Sequence, residues 1–329
     1  MIKIGQIGLG HNHGEGKMKA VRKFPELFEV VGICEQDEKW LAKRRNLDVY
    51  KDLPLLSFDE LLDKVDAVLV ECDVADLTKT AQKCINAGRH IHLDKPASGT
   101  FSEYRKLLQT AQEKQLVVQL GYMYRYNPAI KKCMEMIQKG ELGEIYQINA
   151  EMSTYHSPEY RSWLNNFKGG SMYIFGSHLI DLVVRILGVP EKVSSYLKQT
   201  GFCDVCSPDN CFSVLEYEKA IAKITTLSVA VNGWGMRQFT VYGSRGTVEI
   251  KPIEKRTKMI KATADFAVNP YADMKEAIEV PDVPQDERYD KMVKDFYLFV
   301  TGQKTNPYTY EHELNVQKTL LMACDNFIE

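Results

Sequence analysis

Three segments of this 329-residue chain combine residue types and spacings suited to chemistry. The first is Gly8-Leu9-Gly10-His11-Asn12-His13, which directly follows a strand-like apolar run and precedes a helical pattern. Gly8 permits a tight turn and Gly10 lets a pyrophosphate approach the backbone. The helix beyond offers free N–H groups and the positive end of its dipole. His13 stands where the usual Gly-x-Gly-x-x-Gly/Ala has a small residue, with Gly14 behind it. Gly-x-Gly alone is common; the strand before it and the helix after it make it a dinucleotide signal. His11, Asn12 and His13 border this turn, where the histidines either face the cofactor side or cap the helix. The second segment is Glu35, at the end of the next strand pattern and 22 positions beyond His13 (35 minus 13). A carboxylate at that distance accepts ribose hydroxyls and repels a 2′-phosphate. NAD is therefore expected over NADP, although Lys39, Lys43 and Arg44 follow on the next helix. Glu35 could equally be no more than a polar strand end. The third segment is Asp94-Lys95-Pro96, after the strand pattern His90 to Leu93. A lysine at the carboxyl end of a parallel strand lies at the crevice where such folds bind ligands.

Other candidates carry alternatives. Tyr155, His156, Arg161 and Trp163 follow the first long strand of the second half and suit sugar recognition, with an aromatic face for ring C–H groups and polar tips for hydroxyls. Loop aromatics without function are as common. Cys203-x-x-Cys206 has zinc-like spacing, with Cys211 beyond. No second Cys-x-x-Cys or His-x3-His closes a tetrahedral site, so no metal is expected there.

The elements that must position these residues follow from periodicity. Strand patterns at Ile2 to Gly8, Phe28 to Cys34, Ala67 to Cys72, His90 to Leu93 and Val117 to Leu120 alternate with helical patterns. The helices are Gly14 to Phe24, Asp37 to Arg45, Phe58 to Asp63, Ala75 to Ala87 and one from Thr100 to about Lys114. A further strand is expected near Val49. Thr100 and Glu103 form a capping-box pattern. Such alternation predicts a parallel sheet with helices on both faces. After a helix from Pro128 to Lys139 the pattern changes to long strands at Ile145 to Thr154, Val193 to Thr200, Cys211 to Tyr217, Ile221 to Val231, Arg237 to Tyr242 and Thr247 to Ile250. One helix, Ser177 to Leu187, interrupts them, and antiparallel pairing is favoured. Helices at Asp286 to Thr301 and Thr309 to Phe327 close the chain. The fold class expected is α/β: an N-terminal Rossmann, doubly wound parallel sheet, plus a C-terminal α+β domain with a large, mostly antiparallel open sheet. The domains expected are 1–123 for dinucleotide and 124–329 for substrate and oligomerisation, with the last helices packing back on the first.

Composition narrows the function classes. Lys+Arg 42 against Asp+Glu 44 gives a net charge of -2, and 44% hydrophobic with 26% charged residues describes a globular chain with a sizeable core. With no basic block and a pI near 6.4, there is no electrostatic footprint for nucleic acid. No apolar run reaches a membrane span, and Met1 to Ile7 reads as a strand rather than a signal peptide. The eight cysteines are mostly scattered through apolar segments, as in reduced cytoplasmic proteins.

Taken with Asp94-Lys95-Pro96, the chain resembles the Gfo/Idh/MocA oxidoreductases (glucose–fructose oxidoreductase, inositol dehydrogenase and relatives), in which Glu-Lys-Pro carries the active-site lysine. Gly121-Tyr-Met-Tyr-Arg125-Tyr-Asn-Pro128 is similar to that family's crossover. Gly169-Gly170 through His178 to Asp181, and Asn306-Pro307-Tyr-Thr309, extend the likeness over nearly the whole chain. There are two departures. Ile174 stands where many members have a catalytic aspartate. Cys72-Asp73-Val74-Ala75-Asp76-Leu77 replaces a Thr-Pro-Asn-x-x-His segment near the nicotinamide ribose, so Cys72 and Asp73 would hold the cofactor differently there.

The resemblance implies hydride transfer between NAD(P) and a hydroxyl carbon of a sugar, cyclitol or derivative. Lys95 and His178 are then the catalytic pair, one polarising the substrate oxygen and the other moving its proton, with the assignment open in either direction. Asp94 and Lys95 would border the cofactor. Tyr124, Arg125 and Tyr126 would approach the substrate. Asp181, one helical turn past His178, would orient it or pair locally. A homodimer or homotetramer through the C-terminal sheet is implied as well. Two other functions fit the same residues: a redox-neutral lyase or glycoside-cleaving enzyme with tightly held NAD, and a non-catalytic NAD or sugar sensor.

Overall fold

The computed structural model describes residues 1–264 and 276–328. Within it the chain divides into two units, Met1–Met123 with Pro284–Leu314 and Ile328–Glu329, and Tyr124–Val283 with Asn315–Phe327.

The first unit is organised by β1 (Ile2–Ile7), which is buried at every position except Lys3. In sequence order follow α1 (Gly14–Arg22), β2 (Phe28–Cys34), α2 (Glu38–Arg44), α3 (Phe58–Lys64), β3 (Ala67–Val70), α4 (Leu77–Asn86), β4 (His90–Leu93), α5 (Phe101–Glu113) and β5 (Val118–Leu120). The strands pair in parallel in the order β2-β1-β3-β4-β5. β3 is buried at every position, as expected of a strand covered on both faces. The chain leaves β1 toward β2 and returns to β3 on the other side, so the strand order reverses at the carboxyl end of β1. In open α/β sheets that reversal is where ligands bind.

No strand forms near Val49, contrary to the sequence expectation. The backbone there runs in turns, with one isolated bridge between Ile33 and Leu55. Arginine side chains take carbonyls that a strand would have used: Arg22 Nη1 donates to Val49 O at 2.8 Å and Arg45 Nη2 to Leu53 O at 2.8 Å.

The second unit contains α6 (Pro128–Gln138), β6 (Ile145–Glu151), α7 (Pro158–Leu164), a π-helical turn Met172–Gly176, α8 (Ser177–Leu187), β7 (Lys192–Lys198), β8 (Asn210–Glu216), β9 (Ile221–Leu227), α9 (Gly233–Met236), β10 (Gln238–Gly243), β11 (Gly246–Ile250), β12 (Met259–Thr263) and β13 (Glu276–Ile278). Its eight strands lie in the order β13-β12-β11-β10-β6-β9-β8-β7. Every neighbouring pair is antiparallel except β6 and β9, which are parallel. β8 and β9 alternate buried and half-buried positions, the period-2 signature of a sheet covered on one face. α8 packs on β6 and β9, and its residues Ser177 to Val184 are all buried. α7 was not expected from the sequence. It is short, and its Ser157 cap and Pro158 start lie beside a strand pattern that masked them.

α10 (Asp290–Val300) belongs to the first unit and packs against α1. α11 (Tyr310–Ala323) follows, with Asn315 and later residues in the second unit. Among the described residues no helix is long and apolar enough to cross a membrane.

α5 opens on a complete capping box: Thr100 Oγ1 accepts from Glu103 N at 3.2 Å, and Glu103 Oε2 accepts from Thr100 N at 2.7 Å. Thr100→Ala removes one half of it and should lower stability by about 1 kcal/mol, measured by urea unfolding.

Candidate active site

In the first unit the turn after β1 is built around Gly8. Its φ is +88°, and a Cβ there would lie 2.3 Å from the Cys72 backbone, so only glycine lets β1 and the end of β3 approach this closely. Glu35, just beyond β2, braces the same turn: its Oε2 accepts from Leu9 N at 2.6 Å and its Oε1 from Asp37 N at 2.8 Å. A cleft of about 250 Å³ opens beside them, lined among others by Gly8, Glu35, Gln36, Cys72, Lys79 and Lys83. The two lysines, on α4, were not singled out in the sequence, because a lysine on a helix reads by default as part of a solvated face. Arg44 of α2 docks on the turn, donating to His11 O at 2.7 Å and to Asn12 Oδ1 at 3.2 Å. The Cys72 thiol is pushed up to about 12 by burial. Asp73 accepts from Ala75 N and caps the short turn ahead of α4.

Behind the turn lies a buried charged cluster. Lys17 of α1 has no solvent exposure, and its Nζ lies 2.9 Å from Glu71 Oε1 and 2.5 Å from Asp94 Oδ2. His11 Nδ1 lies 2.9 Å and His13 Nδ1 3.2 Å from the same Asp94 oxygen. Burial works against the Lys17 charge, but Asp94 and Glu71 outweigh it and hold its pKa above the ordinary value. Asp94 is held well below the carboxylate range: burial opposes its charge, and His11, Lys17 and His13 together override that. Glu71 moves the other way, raised by burial and by the charge on Asp94 despite Lys17. His13 is lowered to about 3 by burial, only partly offset by Asp94, with the positive charge of Lys95 adding to the shift. Although His13 is the N-cap residue of α1, its side chain makes no cap; both histidines turn to Asp94 instead. Lys95 is buried at 3% exposure, and its backbone N donates to Asp94 Oδ1 at 2.7 Å. The Lys95–Pro96 peptide is cis. The cluster also explains Gly121, where a Cβ would meet Lys17 Nζ at 2.7 Å and Asp94 Oδ1 at 3.0 Å.

In the second unit His178, on α8, is buried, and its ring centroid lies 5.3 Å from that of Tyr124. Tyr124 OH donates to Glu254 Oε1 at 2.7 Å, and Arg237 Nη1 lies 2.7 Å from the same oxygen. Arg125 clamps Asp181, with Nε at 3.1 and 3.0 Å from its two oxygens and Nη2 at 2.6 Å. Asp181 is thus committed to arginine pairing. Ile174 is buried in the π-helical turn ahead of α8, so an alkyl group fills that position.

Arg161 of α7 is fully buried and pairs with Asp209 at 2.9 Å, while Phe202 lies over its guanidinium at 5.4 Å. Tyr155 is 54% exposed and meets Phe202 edge-on. Trp163 packs on Tyr160 and Phe167. Sequence reasoning missed Lys17, Glu71, Arg237 and Glu254. Only the two-residue alternation around β10 gave any hint of Arg237. Cys203 and Cys206 are exposed, whereas Cys211 is buried on β8.

His156 is sandwiched between Tyr160 at 4.4 Å and Phe175 at 5.0 Å. Burial, and then Arg237 and Arg161, lower its pKa from 6.5 to about 4. Its folded-state pKa is depressed, so its contribution to stability is complete above pH 6.5 and is lost as the pH falls toward 4. The slope is at most about 1.4 kcal/mol per pH unit. Urea titrations between those pH values should show His156→Gln with a flatter acid dependence than the parent.

Two family models match in chain order: "Oxidoreductase family, NAD-binding Rossmann fold" over residues 2–122, and "Oxidoreductase family, C-terminal alpha/beta domain" over residues 134–325. An uncharacterized oxidoreductase of Schizosaccharomyces pombe is 25% identical over 223 residues, 65% of this chain and 59% of that protein. The dTDP-3,4-didehydro-2,6-dideoxy-alpha-D-glucose 3-reductase of Actinomadura kijaniata is 24% identical over 211 residues, 62% of either chain. These alignments span about three fifths of each relative's length. A crystal structure described as a putative NADPH-dependent oxidoreductase from Desulfitobacterium hafniense superimposes with a TM-score of 0.82 at 19% identity, covering 99% of this chain and 95% of that one. With both domains matched over most of its length, and with Asp94-Lys95-Pro96 at the end of β4, this chain belongs to the Gfo/Idh/MocA family of oxidoreductases.

Proposed function

We propose that this chain is a NAD-dependent dehydrogenase or reductase acting on a CH–OH carbon of a sugar, cyclitol or derivative. The observation that carries the reading is Lys95: it is buried at the carboxyl end of β4, and the Gly8 turn and the Glu35 cleft lie in the same unit. The residues present fit a dinucleotide. The turn offers its backbone to a pyrophosphate, and each Glu35 oxygen, although bonded to one backbone N–H, keeps a second lone pair for a ribose hydroxyl. Cys72 and Asp73 would border the cofactor farther along the same turn. When bound, the nicotinamide supplies the hydride acceptor or donor. Lys95 orients and polarises the substrate oxygen, and His178 takes or relays its proton. Arg125, fixed by Asp181, together with Tyr124, Tyr155 and Trp163, supplies substrate recognition, while Arg161, expected in that set, is buried on Asp209 and holds α7 in place.

The sugar class is supported by the Actinomadura relative, whose name describes a reductase of a nucleotide-linked sugar. The eight free cysteines support a reducing, cytoplasmic setting. Exposed Tyr196, Ile221 and Tyr242, which the strand register puts on one face of the eight-stranded sheet, support self-association through that sheet as a homodimer or homotetramer.

A panel of sugars and inositols, assayed with NAD and with NADP for both absorbance change and substrate loss, tests the reading. Turnover coupled to NADH formation is expected; substrate loss without it would replace the dehydrogenase by the redox-neutral enzyme, and binding alone by a sensor. With an active substrate in hand, Lys95→Ala and His178→Gln should each lower kcat by about 10²–10⁴-fold. Unchanged turnover in Lys95→Ala would refute the assigned chemistry.

Cofactor choice has a separate test. Glu35→Ser removes the carboxylate that disfavours a 2′-phosphate while leaving Lys79 and Lys83 in the cleft. The NADP-to-NAD preference should rise at least about tenfold, equal to ~1.4 kcal/mol. Binding titrations of both dinucleotides measure it.

A further inference from the structure

We propose that His11 Nδ1, His13 Nδ1 and Asp94 Oδ2, with Glu71 Oε2 beside His11, form a binding site for one divalent transition-metal ion of the zinc class. One ligand atom each from His11, His13 and Asp94 lies within 4.8 Å of the other two. The contacts to Asp94 Oδ2, 2.9 Å from His11 and 3.2 Å from His13, are close to the edge of a coordination tetrahedron. With metal–ligand bonds of 2.0–2.1 Å, neighbouring ligand atoms in a tetrahedral zinc site lie about 3.3 Å apart.

Hydrogen bonding leaves one oxygen of the cluster unused. The four acceptor sites of Asp94 are matched by Lys17 Nζ at 2.5 Å and His11 Nδ1 at 2.9 Å on Oδ2, and by Lys95 N at 2.7 Å and His13 Nδ1 at 3.3 Å on Oδ1. His11 Nδ1 also lies 3.3 Å from His13 N, a long contact that an ion would replace, since the nitrogen has one lone pair. Glu71 Oε2 supplies an independent sign. It is buried with no hydrogen-bond partner and lies 3.8 Å from His11 Nδ1. An ion among these atoms would use the imidazole lone pairs and engage the stranded oxygen.

The support for such a site is already built. Lys17 bridges Glu71 Oε1 and Asp94 Oδ2, the outer-shell contact that orients ligating carboxylates. The ligands come from rigid positions: the turn after β1, the residue after β3 and the residue after β4, three neighbouring strands of one sheet. His13 retains 21% exposure and so gives an ion a way in. Two imidazoles with two carboxylates suit zinc, and cobalt serves as its spectroscopic substitute.

The test uses full-length protein carrying Cys203→Ser and Cys206→Ser, which removes the exposed thiols as competing ligands. After chelation and dialysis, titration with Co²⁺ should show one saturable equivalent with visible ligand-field bands, and zinc should displace it. His13→Ala, with folding checked by circular dichroism, should weaken binding roughly a hundredfold. His13→Cys should retain binding and add a sulfur-to-cobalt charge-transfer band. Absence of saturable binding in the parent protein overturns the site. So does binding left unchanged by His13→Ala, or a His13→Cys protein that binds cobalt without the thiolate band; this last measurement decides the matter even where the alanine variant does not fold.

Discussion

The ammonium of Lys17, held without solvent between Glu71 and Asp94, is the interaction on which the carboxyl end of the parallel sheet depends. Each of the three residues sits on a different element, and none could be charged there alone. Taking a single ion out of water costs several kcal/mol, and leaving one partner unpaired typically costs about 3–5 kcal/mol. The triad therefore fixes α1 to the ends of β3 and β4. It also sets where the backbone must come close, because Gly121 has to pass the Lys17 and Asp94 side chains without a Cβ of its own. Asp94 in turn receives the backbone N–H of Lys95, so the residue that carries the proposed chemistry starts from an anchored point.

The second unit solves the same problem with arginine. Arg125 on Asp181, Arg161 on Asp209 and Arg237 on Glu254 are all largely buried pairs. A guanidinium is always charged and presents several donors in a fixed plane, so one partner carboxylate sets its orientation. The result is a polar lining whose geometry is decided by pairing.

Much of this was legible in the sequence. The tight turn at Gly8 and the strand ending just before Glu35 follow from the turn and strand spacing alone, and β1 through β5 from their alternation with helices. The Thr100–Glu103 box is a local signal and appears intact. The charged cluster was not legible, because Lys17 meets partners 54 and 77 positions away and no short-range pattern encodes such a meeting. A lysine on a helix that also carries Lys19 and Arg22 looks solvated until the strands beneath it are placed. α7 escaped notice for a different reason: seven residues give too little periodicity to stand out from the strand before it. The strand near Val49 failed because its apolar residues are buried in a turn whose carbonyls are bound by arginines.

One detail of the large sheet bears on how such a protein can change. β6 and β9 lie side by side and run the same way, so the polypeptide between them must make a long excursion before it returns. Tyr155, His156, Arg161, Trp163, Ile174, His178 and Asp181 all fall on that single excursion. Its two ends are clamped by backbone pairing that is indifferent to side-chain identity. Side chains can be exchanged between β6 and β7 without touching that pairing, whereas the remainder of the excursion, β7 and β8, is itself part of the sheet; one stretch of gene thus carries the proposed recognition residues apart from the strands that keep the register.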